Sequence, residues 1–245
     1  MTAPADLPAT EWGRRASRLY EREYARQYRT HDNELHGVAP FEFLSKWIGD
    51  VAATCPRGFS ALDLGCGTGR YFWALNGASE ITGIDASAAM LDEARRPLYA
   101  DRITASSVEL VEGDFLTHRF APGRFDLVYS IGVLAEHSPL DARVAGNVAG
   151  WLKRGGRFAF TTVHPASKSV PPTVARTLGA WVQPLTVGRL RLKLRERLLS
   201  GGLYADESRV RELLAPFFVV ESLATFDSEA HLHCLCVARK LEAGS

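Results

Sequence analysis

The sequence predicts an α/β protein built on a doubly wound sheet of seven strands, mostly parallel with an antiparallel last strand. Three observations carry that reading. Short apolar runs alternate with helix-period stretches between about residues 58 and 165. The first run, Ser60–Leu64, ends in Gly65-Cys66-Gly67-Thr68-Gly69, with three glycines at alternate positions. The second, Ile81-Thr82-Gly83-Ile84, ends in Asp85, 16 residues beyond Gly69.

Residues 1–9 hold two prolines and small polar side chains and predict no regular structure. From Glu11 to Tyr28 the pattern is helical, with Tyr20, Tyr24 and Tyr28 four apart on one face. Thr30–Gly37 is polar and reads as the mobile part of a lid. Pro40–Ala53 is a helix with Phe41, Leu44, Trp47, Ile48 and Val51 at core spacing.

After strand Ser60–Leu64, the glycines turn the chain tightly and let a ligand lie against bare backbone. Arg70–Leu75 should then begin a helix whose first N–H groups face that ligand. Asp85, at the tip of the second strand, is placed to accept hydrogen bonds from both ribose hydroxyls of an adenosine ligand. Ala86-Ser87 leads into helix Ala88–Arg96, with Ser87 as N-cap and Met90, Leu91 and Ala94 on one face. A third strand, Val108–Val111, runs into Glu112-Gly113-Asp114-Phe115, an acid and an aromatic suited to an adenine amino group and ring. The fourth strand, Phe125–Ser130, is followed by Ile131-Gly132-Val133-Leu134-Ala135-Glu136-His137.

Leu140–Leu152 reads as a helix closed by Lys153-Arg154-Gly155-Gly156, before a fifth strand at Arg157–Val163. The doubly wound pattern then lapses. Residues 165–203 hold Pro165, Pro171, Pro172 and Pro184, then a Leu/Arg/Lys stretch that fits a strand by alternation and a helix by Val187, Leu190, Leu194 and Leu198. Helix Asp206–Leu214 and an antiparallel pair, Phe217–Phe226 and Leu232–Arg239, complete the sheet. The expected division is a helical lid at 1–55, a cofactor-binding core at 56–164, a substrate cap at 165–203, and the rest of the core sheet at 204–245.

The ordered set of strand–GxGxG, strand–Asp, strand–Gly-Asp-aromatic and strand–Ser-Ile-Gly-Val-Leu resembles the class I S-adenosylmethionine-dependent methyltransferases, and among them the small-molecule branch. The resemblance implies a Rossmann-like fold, S-adenosyl-L-methionine as methyl donor and S-adenosyl-L-homocysteine as product. It implies that Gly65, Cys66 and Gly67 line the methionine portion, while Asp85 and Ala86 lie at the ribose. Met90 would cover the adenine edge; Gly113, Asp114 and Phe115 would read the base. Ser130 and Ile131 would sit beneath the sulfonium, and Tyr20 and Tyr28, on a helix that closes over the donor in similar enzymes, would touch cofactor or acceptor. Asp63 stands where family members often carry Glu.

Methyl transfer needs a base only if the attacking atom must lose a proton. His137 and His164 follow the fourth and fifth strands and are the two candidates, with His31 and His36 in the lid behind them. A nicotinamide dehydrogenase would require glycine where Arg70 stands. Amino-methylating nucleic-acid enzymes carry an Asn/Asp-Pro-Pro-aromatic tetrapeptide after the fourth strand, where this chain has Ser130-Ile131-Gly132-Val133. No cysteine lies between residues 67 and 233 to serve cytosine-carbon chemistry. A net charge of +1 offers no global field for nucleic acid. The expected partner is therefore a small molecule methylated on O, N or an activated carbon, anionic if it meets Arg189, Arg191, Lys193, Arg195 and Arg197, or aromatic if it meets Trp181. A protein or nucleic-acid methyltransferase, and a cofactor-binding protein without turnover, are the alternatives.

No apolar run approaches the ~18 residues a membrane span needs. The first residues show no basic-then-apolar signal, and the four cysteines have no disulfide or metal spacing, so a reduced cytoplasmic protein, monomer or homodimer, is expected. Strand alternation splits His231 and His233 from Cys234 and Cys236, so no metal is expected there.

Overall fold

The computed structural model describes residues 9–167, 203–229 and 231–242. Helix α1, Ala9–Leu19, and helix α2, Arg22–Asn33, replace the single expected helix. The break comes at Tyr20-Glu21, where Glu21 is extended (φ −69°, ψ 168°). Ser87 Oγ donates to the freed Tyr20 carbonyl at 2.6 Å, satisfying a group that a continuous helix would have bonded itself. Helix α3, Ala39–Ala53, starts with Pro40 in its first turn and buries Phe41, Leu44, Ile48 and Val51 at the expected spacing.

Strand β1, Phe59–Leu64, is buried along its whole length. The helix expected from Arg70 is absent: only a 3-10 turn at Phe72–Ala74 forms before strand β2, Ala78–Asp85. Gly65, Gly67 and Gly69 all take positive φ (+73°, +54° and +71°), and Gly77 turns the chain again at φ +89°, so too few residues remain for a helix. Helix α4, Ala88–Ala94, is capped by Ser87, whose Oγ accepts from Met90 N–H at 3.2 Å; Pro97 limits its far end.

Strands β3, Ser107–Glu112, and β4, Phe125–Ser130, follow, then helix α5, Ala142–Trp151, capped by Asp141. The Lys153–Gly156 stretch expected to end that helix lies instead in strand β5, Leu152–Val163, which pairs with β4 from Phe125↔Leu152 onward through an irregularity before Leu127↔Arg157. Helix α6, Glu207–Leu214, precedes strands β6, Phe218–Asp227, and β7, Leu232–Lys240.

The sheet order is β3-β2-β1-β4-β5-β7-β6, with β7 antiparallel to both neighbours. This is a Rossmann-like, doubly wound sheet. One face packs Leu62, Leu64, Phe158 and Phe160 against Val144 and Val148 of α5 and Val210 and Leu214 of α6. The other packs Ala61, Leu127, Tyr129 and Ala159 against Leu44 and Ile48 of α3 and Leu91 of α4. Burial on both faces is what a parallel sheet requires, and it explains the unbroken apolar runs. The strand order reverses between β1 and β4, opening a crevice at their carboxyl ends. Among the described residues, no helix is long and apolar enough to cross a membrane. Most of the expected cap, with Trp181 and the Arg189–Arg197 cluster, lies outside the described residues.

Candidate functional site

The crevice is built first from the glycine loop. Gly65 and Cys66 N–H groups both donate to the Ile84 carbonyl, at 2.8 and 3.1 Å, which folds the loop over the end of β2. A Cβ on Gly65 would lie 2.7 Å from a Val133 methyl, so this backbone admits only glycine while that side chain stays in place. Gly67 N–H donates to Asp85 Oδ2 at 2.9 Å, and Ser87 N–H to Asp85 Oδ1 at 2.9 Å. The carboxylate is thus fixed at the tip of β2, with lone pairs left for two hydroxyl donors.

Three carboxylates line the cavity in this crevice: Asp63, Asp85 and Asp114. Burial pushes the Asp63 carboxyl up to about 8, against the lowering effect of the neighbouring Tyr129 hydroxyl, with nearby Asp85 adding to the rise. Burial also raises Asp85 and Asp114, against the backbone N–H groups that each accepts. Desolvated carboxylates crowded together favour a ligand that brings positive charge.

Asp114 has a partner that the sequence did not indicate. Its Oδ1 accepts from Leu116 N–H at 2.9 Å, and its Oδ2 from Gly13 N–H of α1 at 3.0 Å. Helix α1 lays Trp12, Gly13 and Ala16 along the wall, with Tyr20 and Tyr28 beyond them. The rings of Tyr20 and Tyr28 meet edge to face at 6.4 Å, and the Arg70 guanidinium stacks on Tyr28 at 4.7 Å. Burial raises the Tyr20 hydroxyl well above the usual range, with the other tyrosines adding, so it stays protonated and can donate.

Helix α2 also grips the glycine loop from the other side. Asp32 is fully buried and accepts from Thr68 Oγ1, and from Arg70 Nε at 2.8 Å. Arg29 donates to the carbonyls of Thr68 (2.7 Å) and Glu93 (2.9 Å). The polar run Thr30–Gly37, expected to be free and mobile, is therefore anchored at its third residue by a buried carboxylate.

Of the residues expected at the site, Gly65, Cys66 and Gly67, Asp85, Ala86 and Met90, Gly113, Asp114 and Phe115, Ile131, Tyr20, Tyr28 and His137 all line this cavity. Ser130 and His164 do not. Ser130 is fully buried, and its Oγ donates to the Leu64 carbonyl of β1 at 2.9 Å, so it braces two strands rather than facing the crevice. His164 stands beside α6: its Nδ1 accepts from Ala166 N–H at 3.0 Å, leaving the ring proton on Nε2, 3.3 Å from Glu207 Oε2. Both ring nitrogens are thus engaged away from the crevice. Among the described residues, one group that could hold a metal ion lies here, outside the cavity: ligand atoms of His164, Glu207 and Cys234 come within 4.8 Å of one another. Sequence reading missed Trp12, Gly13, Ala16, Asp63, Thr68, Arg70, Tyr71, Gly132, Val133 and Ser138 on the cavity wall. One signal was available, since Trp12, Ala16 and Tyr20 extend the four-residue stripe of Tyr20, Tyr24 and Tyr28 back along the chain.

The comparisons with known proteins agree with this geometry. A family model described as "Methyltransferase domain" matches residues 61–156. Malonyl-[acyl-carrier protein] O-methyltransferase of Enterobacter lignolyticus is 37% identical over 112 residues, 45% of this chain and 40% of that protein. Demethylmenaquinone methyltransferase of Bacillus licheniformis is 31% identical over 136 residues, 53% of this chain and 56% of that protein. The chain thus spans about half the length of the curated relatives it matches. An S-adenosylmethionine-dependent methyltransferase from Mesorhizobium loti shares the fold at a TM-score of 0.56 and 22% identity, over 80% of this chain and 97% of that one. Residues 61–156 thus match the methyltransferase domain, and the proteins that the chain resembles are methyltransferases, among them an S-adenosylmethionine-dependent one of the same fold.

Proposed function

We propose that the protein is an enzyme that transfers a methyl group from S-adenosylmethionine to the oxygen, nitrogen or activated carbon of a small molecule. The observation that carries this reading is the convergence of the glycine loop, Asp85, Asp114 and His137 on one cavity. The cofactor supplies a methyl group already activated on a sulfonium sulfur. What the chain must add is alignment and exclusion of water.

The cradle fits that cofactor. Asp85 accepts from the ribose hydroxyls, and Gly113, Asp114 and Phe115 take the adenine, with Met90 along its edge. Gly65, Cys66 and Gly67 admit the methionine portion against backbone. Buried Asp63 faces its ammonium, where a cation would draw off the proton that burial now favours. Trp12, Tyr20 and Tyr28 close the cavity, which supports reading residues 1–55 as a lid. Ile131 lies on the wall with His137, the histidine we assign as general base. The relatives named above act on an acyl-carrier-bound malonyl group and on a quinone precursor, which supports a small-molecule acceptor here. The test is transfer of a labelled methyl group from S-adenosylmethionine to a panel of phenols, carboxylic acids and amines. A labelled product that Asp85→Ala abolishes supports the reading; failure of the whole panel, with the cofactor bound, points instead to a macromolecular acceptor or to binding without turnover.

A further inference from the structure

The loop after β4 is knotted around one carbonyl. N–H groups of Glu136, His137 and Ser138 all point at the Val133 oxygen, at 3.3, 2.9 and 3.0 Å, and Ala135 N–H donates to the Ser138 carbonyl at 2.7 Å. Closing this knot forces Ala135 to φ +55°, a left-handed conformation that disfavours a side chain. Such strain persists only where the surroundings impose it, and it is concentrated at functional sites. Its local effect is to set two neighbouring side chains, Glu136 and His137, side by side, with Glu136 Oε1 3.6 Å from His137 Nε2. That is ion-pair range and long for a hydrogen bond, but catalytic contacts of this kind tighten when the site fills.

The other ring nitrogen is in a different position. His137 Nδ1 is buried and takes no hydrogen bond among the described residues, and neither does Oγ of the next residue, Ser138. Both residues line the cavity, and Ser138 is only 6% exposed. Buried polar atoms are rarely left without partners, so two adjacent ones on a cavity wall mark where a ligand's polar group is received. Glu136 is itself faced by Tyr20, from the junction of α1 and α2, by Tyr28 of α2 and by His233 of β7, while His137 meets the Tyr20 ring at 6.1 Å.

We infer that Glu136 is a positioning residue: it holds the His137 ring with its proton on Nε2, so that the Nδ1 lone pair is the base. This rests on the methyltransferase reading above and deepens it, because it restricts the acceptor to one whose attacking oxygen or nitrogen carries a proton. The O–H or N–H bond breaks and its proton passes to Nδ1. The electron pair forms the bond to the methyl carbon, and the pair of the broken carbon–sulfur bond leaves with sulfur. Glu136 then neutralises the imidazolium.

The experiment is long-range 1H–15N NMR of the labelled full chain with S-adenosylhomocysteine, the His137 signals being those absent from His137→Gln. The wild type should show the Nε2–H tautomer preferred by about tenfold or more, as a carboxylate acceptor on one nitrogen requires. Glu136→Ala should bring the two tautomers near parity, while Glu136→Gln, which keeps an acceptor oxygen, retains the preference. A wild-type ring protonated on Nδ1, or a preference untouched by Glu136→Ala in folded protein, overturns the inference. Should the alanine variant fail to fold, the wild type and Glu136→Gln still decide it through the tautomer they show. Calorimetry of S-adenosylhomocysteine on the same samples separates the two levels: no binding defeats the methyltransferase reading, whereas binding with the wrong tautomer defeats only the role of Glu136.

Discussion

Gly13 N–H donates to Asp114 Oδ2 at 3.0 Å, across 101 residues of sequence, and so seats the first helix on the carboxylate we assign to the adenine. A Cβ at position 13 would lie 2.6 Å from the Asp114 side chain, so only glycine lets the helix come this close. Helix α1 and the end of β3 therefore share one contact.

Gly13→Ala should push α1 off Asp114 and loosen the lid while leaving the sheet intact. We expect S-adenosylhomocysteine to bind about tenfold more weakly, a loss of about 1.4 kcal/mol, with a thermal midpoint close to wild type. Calorimetry paired with a melting curve checks both halves.

Asp32 anchors α2 through Thr68, Arg70 and the neighbouring Arg29, and no water reaches it. Replacing it with alanine leaves the Arg70 guanidinium, itself largely buried, without its carboxylate. Breaking a buried ion pair from one side costs roughly 3–5 kcal/mol. Urea unfolding of Asp32→Ala should show a loss of that order; a change below about 1 kcal/mol, the range of an exposed pair, would mean that the network adds little.

The Asp63 carboxyl, held up at about 8 by burial, makes stability pH-dependent. Its folded value lies above the unfolded value near 3.8, so the native state binds the extra proton between them. The contribution is fully present below the unfolded value and is lost as pH rises through the folded one. The ligand-free protein should accordingly have a lower urea midpoint at about pH 8.5 than at about pH 5.5, and Asp63→Asn should show a smaller drop. Asp85 and Asp114 are shifted the same way, so the drop shrinks without vanishing.

Gly65→Ala combines a side chain at φ +73° with a contact of 2.7 Å to Val133. Because Val133 opens the Glu136–His137 loop, the substitution should disturb cofactor and acceptor halves together. Loss of S-adenosylhomocysteine binding, together with displaced His137 NMR signals, is the expected pair of readouts.

Much of the cavity wall was legible in the chain because each element carries its own chemistry at its own end. Gly65–Gly69 follow β1, Asp85 ends β2 and Asp114 lies two residues beyond β3, so placing the strands places the residues. Contacts between distant segments left no such trace. Nothing near Asp32 or Gly13 announces a partner 38 or 101 residues away. Ser130 was misplaced because β4 is buried on both faces, so side-chain alternation could not say that its hydroxyl turns to Leu64. His164 looked equivalent to His137 until the Ala166 N–H fixed its tautomer. The short helix after the glycine loop failed for a local reason, since three positive-φ glycines use up the residues it needed.

The central claim is that Asp85 and the glycine loop hold S-adenosylmethionine, and calorimetric titration tests it most directly. S-adenosylmethionine and S-adenosylhomocysteine would be titrated into the wild type, Asp85→Asn and Asp85→Ala. Clear binding to the wild type is expected, with at least a tenfold loss in Asp85→Ala, about 1.4 kcal/mol, as the ribose hydroxyls lose a charged acceptor. Absence of binding to the wild type, or undiminished binding to a folded Asp85→Ala, would contradict it.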